Sequence, residues 1–209
     1  MEKLRPYPHV FTPIRIGPVR VKNRIQFSPV VSAHARILTG EVTRDLIEFV
    51  GAQARSGAGI VTIGATPVDD DRARDFYGSM SVVHDYDIAE LALVAEEAHR
   101  YGAQLSVELT HAGRIAYPTL LNGKPAFVPS VIPEFDKDRH VTEITPSEMR
   151  GVISHFVAAA RRCQAAGFDM VMVHGAHGNL VSPFLSPVFN RRTDEYGGSL
   201  EKCVFPSSC

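Results

Sequence analysis

The chain has 209 residues, 44% of them hydrophobic and 22% charged, and 22 Lys and Arg against 23 Asp and Glu leave a formal charge of −1. That balance belongs to a globular protein and lacks the basic surplus that holds nucleic acid or an anionic membrane. No uncharged apolar run approaches the ~18–20 residues that cross a bilayer, and MEKLRPYPHV is too charged for a secretory leader, so a cytoplasmic location is expected.

Ile14 to Lys22 alternates apolar and charged residues on either side of Gly17-Pro18, which predicts a β-hairpin. Ile25-Gln-Phe-Ser28 predicts a first strand stopped by Pro29. Thr43 to Arg55 has helical spacing, with Leu46, Ile47, Phe49 and Val50 on one side, Thr43 as the cap and Gly57 as the stop. Ile60-Val-Thr-Ile-Gly64 is a β-branched run suited to a strand buried on both faces. Asp87 to Tyr101 is helical by period and ends at Gly102, and Gln104 to Thr110 is the third strand. Residues 111–144 read as a long irregular stretch, of the kind that tends to carry function. Thr145-Pro-Ser-Glu148 opens a helix with a capping box and runs to about Ala166. Phe168 to His174 is the fourth strand, followed from 178 by loop with a short helical piece.

Strands alternating with helices predict an α/β fold with parallel strands, either an open doubly wound sheet or half of an eight-stranded barrel. The first strand leads into Ser28-Pro29-Val30-Val31 and not into G-x-G-x-x-G, so the Rossmann phosphate loop is missing. Polar and small residues gather where strands end: Ser28, Gly64-Ala65, Glu108 with His111, and His174 with His177. In a barrel those ends meet at one mouth. Cys163, Cys203 and Cys209 lack C-x-x-C spacing and read as incidental thiols. Asp69-Asp70-Asp71 reads as a solvated loop face, and His155 as solvated or packed.

His174-Gly-Ala-His177 can aim two imidazoles at one point. Such a pair binds a metal if His111, His34 or Glu108 adds a third ligand, donates two N–H bonds to a carbonyl or carboxylate oxygen, or is structural. Spacing alone leaves the three open.

Longer strings resemble a known family. They are Phe11-Thr-Pro-Ile-Arg-Ile-Gly, Val21-Lys-Asn-Arg24, His111-Ala-Gly-Arg114, His174-Gly-Ala-His-Gly178 and Arg192-Thr-Asp-Glu-Tyr-Gly-Gly-Ser199. In this order they resemble the old yellow enzyme family of NADH:flavin oxidoreductases, in the branch holding 2,4-dienoyl-CoA, 2-enoate and bile-acid enone reductases. The resemblance implies a (β/α)8 TIM barrel, here about its first four β/α units behind an N-terminal β-hairpin, with residues 1–209 as the N-terminal half of an FMN-binding domain. It implies FMN reduced by NADH or NADPH, hydride passing from flavin N5 to the β-carbon of an enone or enoate, and a small-molecule substrate as partner. Carried over by motif, Ser28, Pro29, Val30, Ala65 and Glu108 would bind the cofactor. His174 and His177 would be the catalytic pair on the substrate carbonyl, with Tyr117 beside the substrate and the loop 112–144 setting specificity. No protein-bound metal is expected, and an iron–sulfur cluster only in a C-terminal region beyond these residues.

Three departures accompany the resemblance. Glu108 stands where the family usually has glutamine; an amide both donates and accepts, whereas an ionised carboxylate only accepts. Asn179 stands where many relatives place the tyrosine that protonates the α-carbon, so water or Tyr117 would have to supply that proton. After Ser199-Leu-Glu201 the chain reads Lys-Cys-Val-Phe-Pro-Ser-Ser-Cys, and 203–209 looks like an atypical tail on a truncated barrel. Four strands leave an open edge, which predicts weak flavin affinity and self-association. Two other readings compete: a non-catalytic half-barrel, and a metal-dependent barrel hydrolase using His111, His174 and His177. Arg191, Arg192 and Asp194 are expected to be structural, and Phe184 and Phe189 to be apolar anchors.

Overall fold

The Gly17-Pro18 turn joins β1 (Ile14–Ile16) to β2 (Val19–Val21) as an antiparallel pair, as the alternation predicts. The computed structural model describes residues 7–199. The leading residues MEKLRP, Cys203, Cys209 and the 203–209 tail lie outside the described residues.

β3 (Gln26–Val31) does not stop at Pro29. Phe27 pairs with Val61 and Val30 with Ile63, so Ser28 and Pro29 together oppose Thr62 in a bulge. β3 is an edge strand, and the bulge takes Pro29 out of the ladder, where its missing N–H costs nothing. α1 (Arg44–Arg55) begins where Thr43 Oγ1 accepts from Leu46 N at 3.2 Å, and buries Leu46, Val50 and Ala54. β4 (Ile60–Pro67) is buried along its whole length and pairs parallel with β3. α2 (Ile88–Arg100) follows a 3₁₀ turn closed by His84 and Asp87, and turns Leu91, Val94, Ala95 and Ala98 inward. β5 (Gln104–Thr110) has the predicted bounds.

The stretch 111–144 is not structureless. It holds β6 (Ala126–Val128), the short α3 (Pro133–Asp136) and β7 (Val141–Glu143), with β6 and β7 pairing in parallel. Two small cores support it, one from Ala112, Ala116, Leu121 and Ala126, the other from Phe127, Ile144, Met149, Val152, Leu180 and Tyr196. Periodicity misses these elements because strands this short show barely one alternation. α4 (Pro146–Ala165) starts with the predicted capping box: Thr145 N donates to Glu148 Oε2 at 2.9 Å and Glu148 N to Thr145 Oγ1 at 3.2 Å. Thr145's backbone bond holds the Glu148 carboxyl below its usual range. β8 (Met170–Val173) and α5 (Val181–Phe184) complete the described elements.

The main sheet has the order β3-β4-β5-β8. The described residues divide into two compact units, 7–66, 77–108 and 160–172 in the first, and 67–76, 109–159 and 173–199 in the second. β8 ends the sheet and leaves Val171, Met172 and Val173 exposed, whereas the interior β4 exposes nothing. Cys163 is buried, and burial pushes its thiol up to about 12, which makes it an inert packing residue.

Candidate active site

In the first unit the bulge sets three candidate residues at the open end of β3. Ser28 and Val30 are exposed there, Val30 by 47%, with half-buried Pro29 between them. Gly64 on β4 must lack a side chain: a Cβ would lie 2.6 Å from Pro29 Cβ and 2.7 Å from Glu108 Oε2. Glu108 and Ala65 are both buried. The bare backbone of Gly64 therefore brings the Glu108 carboxylate and the Pro29 ring against one strand end.

In the second unit His174 follows β8, and its N–H donates to Leu109 O at 2.9 Å. His177 adopts φ +55°, a left-handed conformation uncommon outside glycine, and this turns its ring back. The Nδ1 of His177 lies 3.2 Å from Nε2 of His174, with ring centroids 5.1 Å apart. The two imidazoles do converge. At that distance one ring donates to the other, so an acceptor oxygen takes both N–H bonds only once that contact opens.

Asn179 is 2% exposed; its Oδ1 accepts from Thr110 Oγ1 at 2.7 Å and its Nδ2 donates to Ala176 O at 3.4 Å. It braces the loop and has no acidic proton to give. Tyr117 is 55% exposed, with Phe76 edge-on at 6.4 Å between centroids.

Asp69 is not a solvated loop residue, because it is buried. Its Oδ1 accepts the backbone N–H groups of Asp71, Arg72 and Ala73 at 2.8, 2.7 and 3.1 Å, and its Oδ2 faces His155 Nδ1 at 3.3 Å and His111 Nε2 at 3.9 Å. Burial alone would raise the Asp69 carboxyl, but His111 and the three N–H bonds bring it below its ordinary value. Burial pushes His111 down to about 4, with Asp69 opposing the shift. The sequence signal was present: an Asp followed by free N–H groups two and three residues on favours such a turn.

His111 does not join His174 and His177. Its Nδ1 accepts from Gly113 N at 3.2 Å and its Nε2 faces Asp69, which removes the hydrolase reading built on the three histidines. Among the described residues no group of three or more His, Cys, Asp or Glu is arranged to hold a metal ion. Arg192 is structural as expected, donating to Pro129 O and Ile144 O at 3.1 and 2.8 Å and pairing with Asp194. Arg114 is likewise buried, paired with Asp136 and lying 5.0 Å over the Phe189 ring, which anchors it. Phe184 packs on the core around Leu180.

The sequence profile of the NADH:flavin oxidoreductase / NADH oxidase family matches residues 9–206. The chain belongs to that family. It is 37% identical to a metal reductase of Desulforamulus reducens over 92% of the chain and 28% of that protein. It is 34% identical to an NADPH dehydrogenase of Bacillus licheniformis over 92% of the chain and 55% of that protein. The chain thus spans between about a quarter and just over half of these relatives. Among solved structures, an old yellow enzyme from Pichia sp. AKU4542 superposes with TM-score 0.84 at 30% identity, over 93% of this chain and 53% of that one. A 2-naphthoyl-CoA reductase superposes with TM-score 0.86 at 28% identity, over 94% of this chain and 31% of that one. The fold is the (β/α)8 barrel of old yellow enzymes, represented by about its first four β/α units behind the hairpin.

The residues present suit the flavin of this family. An isoalloxazine needs an apolar face and polar partners along one edge. Pro29 and Val30 present apolar surface beside the Ser28 hydroxyl, and Gly64 puts no side chain between that surface and the Glu108 carboxylate. Among the described residues no helix is long and apolar enough to cross a membrane.

Proposed function

We propose that the chain is the N-terminal half of an FMN-dependent ene-reductase domain, which uses NADH or NADPH to saturate the activated C=C bond of an enone or enoate. The observation that carries this reading is the 3.2 Å approach of His174 and His177 in a chain of the flavin oxidoreductase family. Ser28, Pro29, Val30, Ala65 and Glu108 are the cofactor-binding residues in this reading. FMN supplies hydride to the substrate β-carbon when bound.

His174 and His177 hold the substrate carbonyl oxygen. Negative charge grows on that oxygen as the β-carbon is attacked, and the two imidazole N–H groups stabilise it once their mutual contact opens toward the oxygen. Tyr117 lies on the substrate side. A cytoplasmic location and self-association through the exposed β8 edge belong to the same proposal. The edge is where a second copy, or a further strand, would pair.

The test is reconstitution with FMN and anaerobic reduction by NADH or NADPH, followed by reoxidation with an enone. His174→Ala and His177→Ala are each expected to slow the enone step by about 10²–10³-fold. Reoxidation at the unaltered rate in both variants would refute the assigned role.

A further inference from the structure

Within the second unit, side chains between residues 114 and 141 enclose a cavity of about 460 Å³, the size of a small-molecule site. Its walls are tied to each other. Ala126 of β6 pairs with Val141 of β7, and Ala126 N donates to His140 O at 2.9 Å. Arg139 reaches across, its Nη1 donating to Arg114 O at 2.9 Å. Buried Ala116, Leu121 and Ala126 give the cavity an apolar lining. Phe135 adds an aromatic ring, 51% exposed and braced by the Phe189 ring at 5.1 Å between centroids.

The charged part of the lining is unbalanced. Arg114, Lys124, Lys137 and Arg139 line the cavity with His140, against Glu134 and Asp138, although the chain as a whole carries −1. Arg114 is committed to the wall: Asp136 pairs with it, and its Nη2 donates to Ser130 O at 3.2 Å. Lys137 is exposed and joins no ion pair among the described residues. Lys124 pairs with Asp71, but their side chains are 46% and 52% exposed, and an ion pair so open to water contributes little. Its ammonium can therefore turn to a stronger anion. Arg139 spends one N–H on the Arg114 carbonyl and keeps the others of its fork for a ligand.

We propose that this cavity binds the phosphate monoester of a ring-bearing small molecule, of the nucleoside monophosphate kind. A phosphate monoester carries about −1.5 to −2 charge near pH 7 and three acceptor oxygens, so it engages several cations at once. A carboxylate would be satisfied by the Arg139 fork alone. Lys124, Lys137 and Arg139 hold the phosphate, and the ring of the ligand lies on Phe135 and the apolar lining. The inference rests on the second unit alone and does not depend on the ene-reductase reading.

Calorimetric titration of the FMN-free 209-residue chain with adenosine 5′-monophosphate (AMP), adenosine and inorganic phosphate tests the site. AMP is expected to bind saturably, about tenfold or more tighter than either of the others, and severalfold more weakly at high salt. Lys124→Ala and Lys137→Ala each weaken AMP about tenfold. Asp138→Asn tightens it, because a like charge leaves the lining. Phe135→Ala weakens AMP and leaves inorganic phosphate as it was. Arg44→Ala, which removes an exposed cation of the first unit, leaves the affinity unaltered. AMP binding no tighter than adenosine, or undiminished when Lys124→Ala and Lys137→Ala are combined, overturns the phosphate site. Equal affinities for AMP and inorganic phosphate overturn the role of Phe135. In the FMN-loaded protein, a KM for NADPH that rises with AMP assigns the site to the cofactor's own phosphate. A KM that AMP leaves unchanged assigns it to a separate phosphorylated ligand, and either result supports the site.

Discussion

Asn179 accepts a 2.7 Å hydrogen bond from the Thr110 hydroxyl across 69 residues of sequence, and the bond is buried. It ties the end of β5 to the segment after the histidine pair. Asn179→Ala leaves the Thr110 hydroxyl buried without its acceptor, at a cost of about 1–3 kcal/mol. A double-mutant cycle with Thr110→Val, read by urea unfolding, is expected to show coupling near 1 kcal/mol. Strict additivity would mean that the bond contributes nothing.

Acid should loosen the second unit through His111. Its folded pKa of about 4 lies below the 6.5 of an ordinary histidine, so the unfolded chain binds the proton more readily. Stability is complete above pH 6.5 and is lost as pH falls toward 4, by about 3 kcal/mol at ~1.4 kcal/mol per unit. The Asp69 carboxyl, also lowered, withdraws its own share at still lower pH, as it becomes protonated. Unfolding curves between pH 7 and pH 4 measure the loss, and His111→Gln should flatten it. An equally steep decline in that variant would place the acid sensitivity elsewhere.

Gly64→Ala tests the strand end where the cofactor-binding candidates meet. The added methyl would lie 2.6 Å from Pro29 Cβ and 2.7 Å from Glu108 Oε2, so strand or carboxylate must move. Overpacking of this kind costs about 1–3 kcal/mol, or roughly 2–4 °C of Tm per kcal/mol at this chain length. FMN affinity should fall with it, measured by flavin fluorescence. A variant with unchanged Tm and unchanged FMN binding would show that the close approach is unimportant.

β8 exposes apolar side chains at the end of the sheet, and Val171 is 46% exposed. In sedimentation or size-exclusion experiments the 209-residue chain is expected to migrate as a dimer or larger species. Val171→Lys should move it toward monomer. A monomeric, FMN-saturated wild-type chain would contradict both the edge pairing and the weak flavin affinity expected of a half-barrel.

Much of the architecture was written locally. Thr43 and the Thr145–Glu148 box mark the helix starts where the structure has them, because capping is decided within three residues. β5 matched its predicted bounds, Gln104–Thr110, where Leu105, Val107 and Leu109 alternate with polar residues. The strings around His111, His174 and Arg192 carried the family, and the spacing of His174 and His177 already allowed the two rings to meet.

Tertiary structure decided what those residues are partnered with. Pro29 stays in its strand because the partner strand tolerates a bulge. Asp69 is a buried anchor because His155 approaches it from 86 residues away. Asn179 is a brace because Thr110 lies across from it. A hydrogen bond over such a separation depends on how strands and loops stack in space, and its two ends leave no joint mark in either local stretch of sequence.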